Sequence, residues 1–433
     1  MQPRWKTNAT CTKGASLPAD LHRVHVGFIT DSFLGSDDRL FEGGAERHLF
    51  RIIELLRRLG VEVTVYQRAE ISLRFNYHGI LVVRHPAGSF RPSVVLARMA
   101  LADGCTHIHF QNLGRLPRRL PINRTTATSH GVHWDIPYID EFHRWYRGNR
   151  LMRFALPIWR RLQKSACLTG ISRCRAVLSV GTSLLTLVQS DRPELRNRIV
   201  VVPNFSDLNP SLISFDEDQS ADSPLAILLA ARKEGAIIVL VPRNLSLVRG
   251  GAWLVDIVAA SVGQSRSNCE FFFTGVSVDV YGRADKYLHL LEKDIKDSDS
   301  SVRERLHMLG GLDHELMAKA LNLCDIVLIP TFAAEGTSLA AIEAMSFGRP
   351  VVCTNVGGLN DLVRDQFNGL LVSTTAEDIA AGVVRLANDT SLRRRLGEEA
   401  RHEAAARFTL ESWEKSILLF AQRAGWVERD STE

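Results

Sequence analysis

"EGTSLAAIEAMSFGRPVV", residues 335–352, sets a carboxylate on each side of a predicted helix start. Before it, "CDIVLIPT" (324–331) is an apolar run of strand length, and "FAAEG" is the loop at its carboxyl end. Ser338 or Thr337 is positioned to cap a helix running to Phe347, which Gly348 stops and which Pro350 and a further strand, "RPVVCT", follow. A capping box would carry Glu where this segment has Ala340 and Ala341. No acid therefore shadows the first-turn N–H groups, and they are open to an anion. Glu335 lies just before those amides. Glu343 lies a turn or more inside the helix, its side chain leaning back toward the N-terminus.

Eight residues of mixed loop and helix separate the two carboxylates by on the order of 10 Å. Acids set directly on a phosphate would repel it, whereas acids that bracket it do not. A nucleotide diphosphate sugar has hydroxyls at both ends and a diphosphate between them, and carboxylates accept strong hydrogen bonds from hydroxyls. One glutamate could hold the sugar and the other the ribose, with the helix N-terminus on the diphosphate. On their own, two glutamates are more often a loop residue and a solvated helix residue. Their surroundings decide between the two readings.

Working outward, strand and helix periods alternate along the chain. "VHVGFIT" (24–30), then "GGAERHLFRIIELLRRLG" with Leu49, Ile52, Ile53, Leu56 and Leu59 at helical spacing, then "VEVTVY" form a βαβ unit. The strands "HIHF" (107–110), "TTATSH" (125–130), "AVLSVG" (176–181) and "RIVVVPN" (198–204) continue the pattern. A stretch rich in Pro, Ser and Asp from Ser206 interrupts it, and a second alternation starts at "AIIVLVP" (236–242). The expected organisation is two doubly wound α/β domains. An extension over 1–21 is followed by a first Rossmann-like domain over 22–205, a linker over 206–225, a second Rossmann-like domain over 226–410 and a closing helix over 411–433. In such sheets ligands bind beyond the carboxyl ends of the strands, so the site is expected in the cleft between the domains.

Composition fits this. The 433 residues are 45% hydrophobic and 23% charged, with a formal net charge of +5, too mild to imply a nucleic-acid partner. Seven cysteines lie mostly in apolar runs without a C-x-x-C pair, as expected for reduced thiols in a cytoplasmic protein. The first 20 residues have no apolar core and no stretch approaches a membrane span, so neither a secretory signal nor a spanning helix is expected.

"EGTSLAAIEAMSFGRPVVCTNVGGLNDLV" closely resembles the E-x7-E region of retaining glycosyltransferases of family 4, which have the GT-B fold. The resemblance implies donor contacts from Gly336, Thr337, Ser338 and Leu339, the sugar on Glu335 and the ribose on Glu343. "GGAERHL" (43–49) resembles the family's glycine loop, which implies that Gly43 and Gly44 approach the donor. "VPRNLSLVRGG" (241–251) resembles its G-R-L-x-x-x-K-G segment, which implies that Arg243 and Arg249 neutralise the diphosphate. Here Pro242 replaces the usual Gly and Arg249 the usual Lys. "ATSHGVHWDIP" (127–137) implies a histidine facing the donor sugar, with His130 favoured over His133 because His133 lies deeper in the loop. "HMLGGLD" (307–313) implies a base-lining loop around Leu312, and "VPNFSD" (202–207) an interdomain segment with Phe205 where Gly is usual.

The implied activity is transfer of a sugar from a nucleotide diphosphate donor to a glycan, lipid-linked or small-molecule acceptor, with retention of configuration and no cofactor or metal. The D-x-D pairs Asp216/Asp218 and Asp297/Asp299 follow no buried strand, so they are expected to be solvated acids, not metal ligands. The rival functions are a sugar-nucleotide epimerase or phosphorylase on the same scaffold, or a silent nucleotide-binding member. A dehydrogenase lacks support because no G-x-G-x-x-G follows the first strand.

One stretch lies outside that scheme. "RWYRGNRLMRFALPIWRRLQK" (144–164) holds seven basic residues and no acid. As a helix it would gather Arg147, Arg150, Arg153, Arg160, Arg161 and Lys164 in one arc, with Leu151, Met152, Ile158, Trp159 and Leu162 opposite. Pro157 would kink that helix. Either the apolar side is core and the arginines are solvated, or the segment docks on an anionic membrane, at the inner face of the cytoplasmic membrane.

Overall fold

The computed structural model of the protein describes residues 24–428, except 36–37, 41–42, 87–91, 117–120, 133, 135–151, 209, 211–222, 265–267, 276–283 and 334. The expected extension and most of the expected linker lie outside the described residues, as do Asp216, Asp218 and His133.

Two sheets form. The first runs β1 (His25–Thr30), β2 (Glu62–Arg68), β3 (Leu73–Tyr77), β4 (Ile80–His85), β5 (His107–Phe110), β6 (Thr125–Ser129), β7 (Ala176–Ser179) and β8 (Ile199–Val201). Their spatial order is β3-β4-β2-β1-β5-β6-β7-β8. The second holds β9 (Ile237–Pro242), β10 (Cys269–Thr274), β11 (Leu306–Gly310), β12 (Ile326–Ile329), β13 (Val351–Thr354) and β14 (Gly369–Val372), in the order β11-β10-β9-β12-β13-β14. Every pairing is parallel except β3 with β4. Helices cover both faces of each sheet, which is why β12 reads as an unbroken apolar run with all four residues buried. The β3–β4 hairpin was not foreseen from the sequence. Its turn is His78-Gly79, both with positive φ, and β3 is an exposed edge strand.

Strand order reverses between β1 and β5 in the first sheet and between β9 and β12 in the second. These switch points face each other across the interdomain cleft, and the loops at their carboxyl ends carry the residues singled out above.

The last helix, Leu410–Ala424, leaves the second domain and packs on the first. Trp413, Ile417, Phe420 and Trp426 join Val26, Phe28 and Leu49 in one core cluster. Phe205 packs against Trp413 with ring centroids 4.5 Å apart and planes tilted by 42°, so this bulky residue fills the joint between crossing segment and closing helix. Beside it, Ser206 N–H donates to the Phe408 carbonyl at 2.9 Å, which pairs the outgoing and returning chain.

The basic segment meets the expectation of a core-facing apolar side only in part. Met152–Ser172 is one helix with Pro157 inside it. Leu156 is buried and Trp159 packs against the first domain's core, yet Phe154, Ile158 and Leu162 are 73%, 64% and 64% exposed. These three recur every four residues and form an apolar ridge on the outer face, next to exposed Arg161. The apolar side is therefore only partly core. Arg147 and Arg150 lie outside the described residues.

Trp426 is 1% exposed and meets Phe28, His109 and Phe420 at ring distances of 5.7, 5.3 and 5.3 Å. Trp426→Ala is expected to destabilise the first domain by about 3–5 kcal/mol. Leu419→Ala, on the helix that ends two residues before Trp426 but at a 61% exposed position, is expected to stay within about 0.5 kcal/mol. Denaturant unfolding of the two variants checks the difference.

Candidate active site

A cleft of about 680 Å³ between the domains is lined by Gly43, Gly44, His130, Arg243, Arg249, Leu312, Glu335, Gly336, Thr337, Ser338, Leu339 and Glu343. These are the twelve residues that the sequence singles out, and the fold gathers all of them.

The helix Leu339–Ser346 starts in this cleft with Ser338 as its N-cap, and Ser338 Oγ accepts from Ala341 N–H. Across from it starts the helix Gly44–Arg58, whose N-cap is Gly43. The two starts nearly touch, since a Cβ on Gly44 would stand 2.9 Å from Leu339 Cδ1. Two helix N-termini thus face one space, and both dipoles favour an anion there.

Glu335 sits at the mouth in a bidentate pair with Arg243: Nη2 to Oε2 is 2.5 Å and Nη1 to Oε1 is 3.4 Å. Thr331 Oγ1 also donates to Oε2, at 3.2 Å, and Arg243 Nη1 donates to Ser338 Oγ at 3.1 Å. Glu343 is buried and accepts from Arg47 at 3.0 Å. Arg47 also donates to Asp207 at 2.6 Å, and Arg51 reaches the other Asp207 oxygen at 3.0 Å. Arg249 makes no ion pair among the described residues. Desolvation, with nearby Arg243, lowers its pKa to about 10, so it remains charged at neutral pH. The cleft therefore holds one uncompensated cation beside two helix starts.

His130 is neutral. Gln111 Nε2 donates to the Ala45 carbonyl at 3.0 Å, which fixes the amide, and the same nitrogen donates to His130 Nε2 at 3.1 Å. The histidine proton is therefore on Nδ1, and desolvation pushes its pKa down to about 4. Its backbone also matters, because a Cβ on Gly336 would stand 2.5 Å from the His130 carbonyl oxygen. Only glycine lets the Glu335 loop come this close to the first domain. Thr337 ties the same loop down. Its hydroxyl accepts from Asn204 N–H at 2.8 Å and donates to the Val180 carbonyl, while Asn204 Nδ2 donates to its carbonyl at 2.6 Å.

Arg47, Arg51, Asn204, Asp207 and His314 also line or anchor the cleft and were not singled out as site residues. The i, i+4 pair Arg47/Arg51 directly after the glycine loop was the visible signal. Asp207, His314 and Glu343 come close enough to suggest a metal-binding group. The Arg47 guanidinium, however, bonds both carboxylates, and a cation would have to displace it. Asp297 pairs with Lys293, and Asp299 begins the short helix Ser300–Arg303, neither of them in the cleft lining.

Fold and cleft together define a two-domain protein of the GT-B class. Residues 42–209 match the family model described as Glycosyltransferase Family 4, and residues 230–403 match the one described as Glycosyl transferases group 1. Two family models of glycosyltransferases thus match successive segments of the chain, one in each domain. It is 29% identical to alpha-D-kanosaminyltransferase of Streptomyces kanamyceticus over 174 residues, 40% of this chain and 42% of that protein. It is 30% identical to D-inositol 3-phosphate glycosyltransferase of Jonesia denitrificans over 222 residues, 51% of this chain and 50% of that protein. The chain thus spans half or less of the length of these curated relatives. Among solved structures, Anabaena HepE in complex with UDP-glucose superposes with a TM-score of 0.67 at 18% identity, covering 92% of this chain and 99% of that one. Sucrose-phosphate synthase of Thermosynechococcus elongatus gives 0.66 at 18% identity, covering 92% and 98%.

His48 and His109 are also buried, and desolvation lowers both pKa values, that of His109 to about 3. Unfolded, each of the three histidines takes a proton near pH 6.5. Folded, His130 resists it to about pH 4 and His109 to about 3, and burial holds His48 well below its ordinary value. Stability is then full above pH 6.5 and is lost as pH falls toward 4, because the unfolded chain binds more protons there. Thermal melts from pH 7.5 to 4.5 are expected to show this loss. Both ring nitrogens of His48 lack partners, so His48→Phe is expected to keep the melting temperature at pH 7.5 and lose less of it on acidification.

Proposed function

We propose that the protein moves a sugar from a nucleotide diphosphate donor to a hydroxyl acceptor, with retention of configuration. The observation that carries this is the unpaired Arg249 facing two helix N-termini, with Glu335 on one side and Glu343 on the other. The diphosphate takes the cationic seat, Glu335 and neutral His130 hold the sugar, and Glu343 takes the ribose hydroxyls, sharing its charge with Arg47. As the bond from the sugar's anomeric carbon to the phosphate oxygen breaks, the acceptor oxygen bonds that carbon on the same face and its proton passes to the departing phosphate. Arg249 and the helix amides stabilise the charge that grows there. No metal is needed in this scheme, since arginines already balance the carboxylates. An epimerase or a silent member would have less use for an unpaired cation placed at a leaving diphosphate.

UDP and UDP-glucose are the first probes, because HepE is held with UDP-glucose on the same fold. Arg249→Ala is expected to weaken UDP binding about tenfold to a hundredfold, the range of a lost charge-assisted hydrogen bond. Glu343→Ala should weaken UDP binding as well, while Glu335→Gln should leave it intact and impair turnover. Equal loss of UDP affinity in both glutamate variants means the roles of sugar and ribose ligand are wrongly assigned. Turnover abolished by EDTA and restored by magnesium or manganese removes the metal-free scheme.

The acceptor side includes, in this proposal, an anionic membrane surface. No described helix is long and apolar enough to cross a bilayer. The Phe154/Ile158/Leu162 ridge instead suits shallow insertion, with Arg161 at headgroup level. Co-sedimentation with phosphatidylglycerol vesicles is expected, weakened by salt and by changing the three apolar residues to Ser. Equal binding to neutral phosphatidylcholine vesicles speaks against it.

A further inference from the structure

His48, on the helix Gly44–Arg58, is 1% exposed and stands behind the cleft, outside its lining. Neither ring nitrogen has a partner among the described residues, and burial keeps the ring uncharged. An apolar side chain would fill the same space without stripping two nitrogens of water. What this ring has instead is a fixed orientation between two others. It meets His130 at 5.6 Å between centroids with planes at 83°, and Trp413 at 5.3 Å with planes at 76°. Both contacts are edge to face, the geometry that ring quadrupoles favour. Trp413 is the fourth residue of the helix Leu410–Ala424 and packs on Phe205 at 4.5 Å. Phe205 comes one residue before Ser206, which bridges Thr409 and whose N–H donates to the Phe408 carbonyl. Outgoing and returning segments meet there, so a change in the angle between the domains is absorbed at these residues. Phe205, Trp413, His48 and His130 thus form a continuous row of rings from the crossing to the cleft. At its far end Gln111 holds His130 Nε2 at 3.1 Å.

We propose that His48 is a positioning residue that passes the placement of the Phe205/Trp413 pair on to His130, so that His130 is set for the donor sugar by the way the two domains are joined. The sugar on His130 rests on the transfer function proposed above, whereas the link from crossing to His130 stands without it. Packed interiors switch between discrete arrangements and do not deform smoothly, so a row of buried rings carries a displacement that a loose contact would absorb. His48 touches no substrate in this account and acts through His130 alone.

The test is calorimetric binding of UDP and UDP-glucose to the full chain. His48→Leu is expected to weaken UDP-glucose about threefold to tenfold, the range of one neutral hydrogen bond, and UDP by less than about twofold. His130→Ala is expected to show the same selective loss, with no further loss when His48→Leu is added, because both act at one contact. His48→Phe keeps an edge-to-face ring and is expected to retain UDP-glucose affinity. Trp413→Leu, at the crossing, is expected to repeat the loss in the unchanged chain but not on top of His48→Leu. His48→Met and Trp413→Met take the place of either leucine variant that does not fold. Equal loss of both nucleotides in His48→Leu overturns the proposal, as do additive loss with His130→Ala, no retention in His48→Phe, or no loss in Trp413→Leu. If neither nucleotide binds, or His130→Ala leaves UDP-glucose binding unchanged, the transfer reading is what fails. NMR of the free, histidine-labelled chain then decides the link: Trp413→Leu is expected to move the His130 ring signal, and a shift of equal size in the His48→Leu background, or none in the unchanged chain, overturns it.

Discussion

A cleft that is to take an anion beside carboxylates must keep those acids from repelling it, and here Glu335 and Glu343 are each paired with an arginine. Arg243 holds Glu335 from β9's carboxyl end, and Arg47 holds Glu343 from the other domain. Removing one member of such a buried pair leaves an uncompensated charge, a loss of about 3–5 kcal/mol. The pairs therefore fix positions as well as charge. Because they occupy Arg243 and Arg47, and Arg51 pairs with Asp207 and Glu54, Arg249 is the arginine of the described cleft lining that forms no ion pair.

The same constraint joins the domains. Glu343 belongs to the second domain and its arginine to the first, so that ion pair forms only when the domains meet. Other contacts act in the same direction: Thr337 on Val180 and Asn204, Gly336 against His130, and Asp361 accepting from Thr182 N–H at 2.7 Å. The Leu410–Ala424 helix completes the tie by starting from the second domain and burying its aromatic face in the first. A loop carrying Glu335 that depends on both domains can respond to what either one binds.

What could be seen in the sequence was local. Strand, glycine loop and helix follow each other within a few tens of residues, so their periods and breakers are directly visible, and the twelve cleft residues lie in such loops or helix starts except Glu343, a turn inside its helix. The partners of Glu335 and Glu343 are not local. Arg243 is 92 residues from Glu335, and Arg47 is 296 from Glu343. No periodicity encodes those distances. The β3–β4 hairpin was hidden for another reason. An exposed edge strand carries no burial pattern, and "LRFNYHGILVV" shows only a His-Gly turn between two short runs. For the Met152–Ser172 helix, spacing showed two faces but not which neighbours exist to cover them. Leu156 and Trp159 found the core, while Ile158 and Leu162 did not.

The two departures from the family pattern in the arginine loop are absorbed by its backbone. Pro242 ends β9 opposite Thr274, and the amide of Arg243 still donates to the Thr274 carbonyl at 3.1 Å. Pro242 therefore costs no ladder bond beyond its own. Further on, Gly250 has φ 87° and lies so close to Pro330 that a Cβ would stand 2.2 Å from its carbonyl oxygen. That left-handed residue fixes the chain direction immediately after Arg249. With both ends of the loop held, exchanging the usual Lys for Arg alters the charged tip and little else. A planar guanidinium offers a fork of donors where an ammonium offers a point charge, and a fork matches two phosphate oxygens at once. In the proposed transfer, the substitution thus favours bidentate capture of the donor's diphosphate.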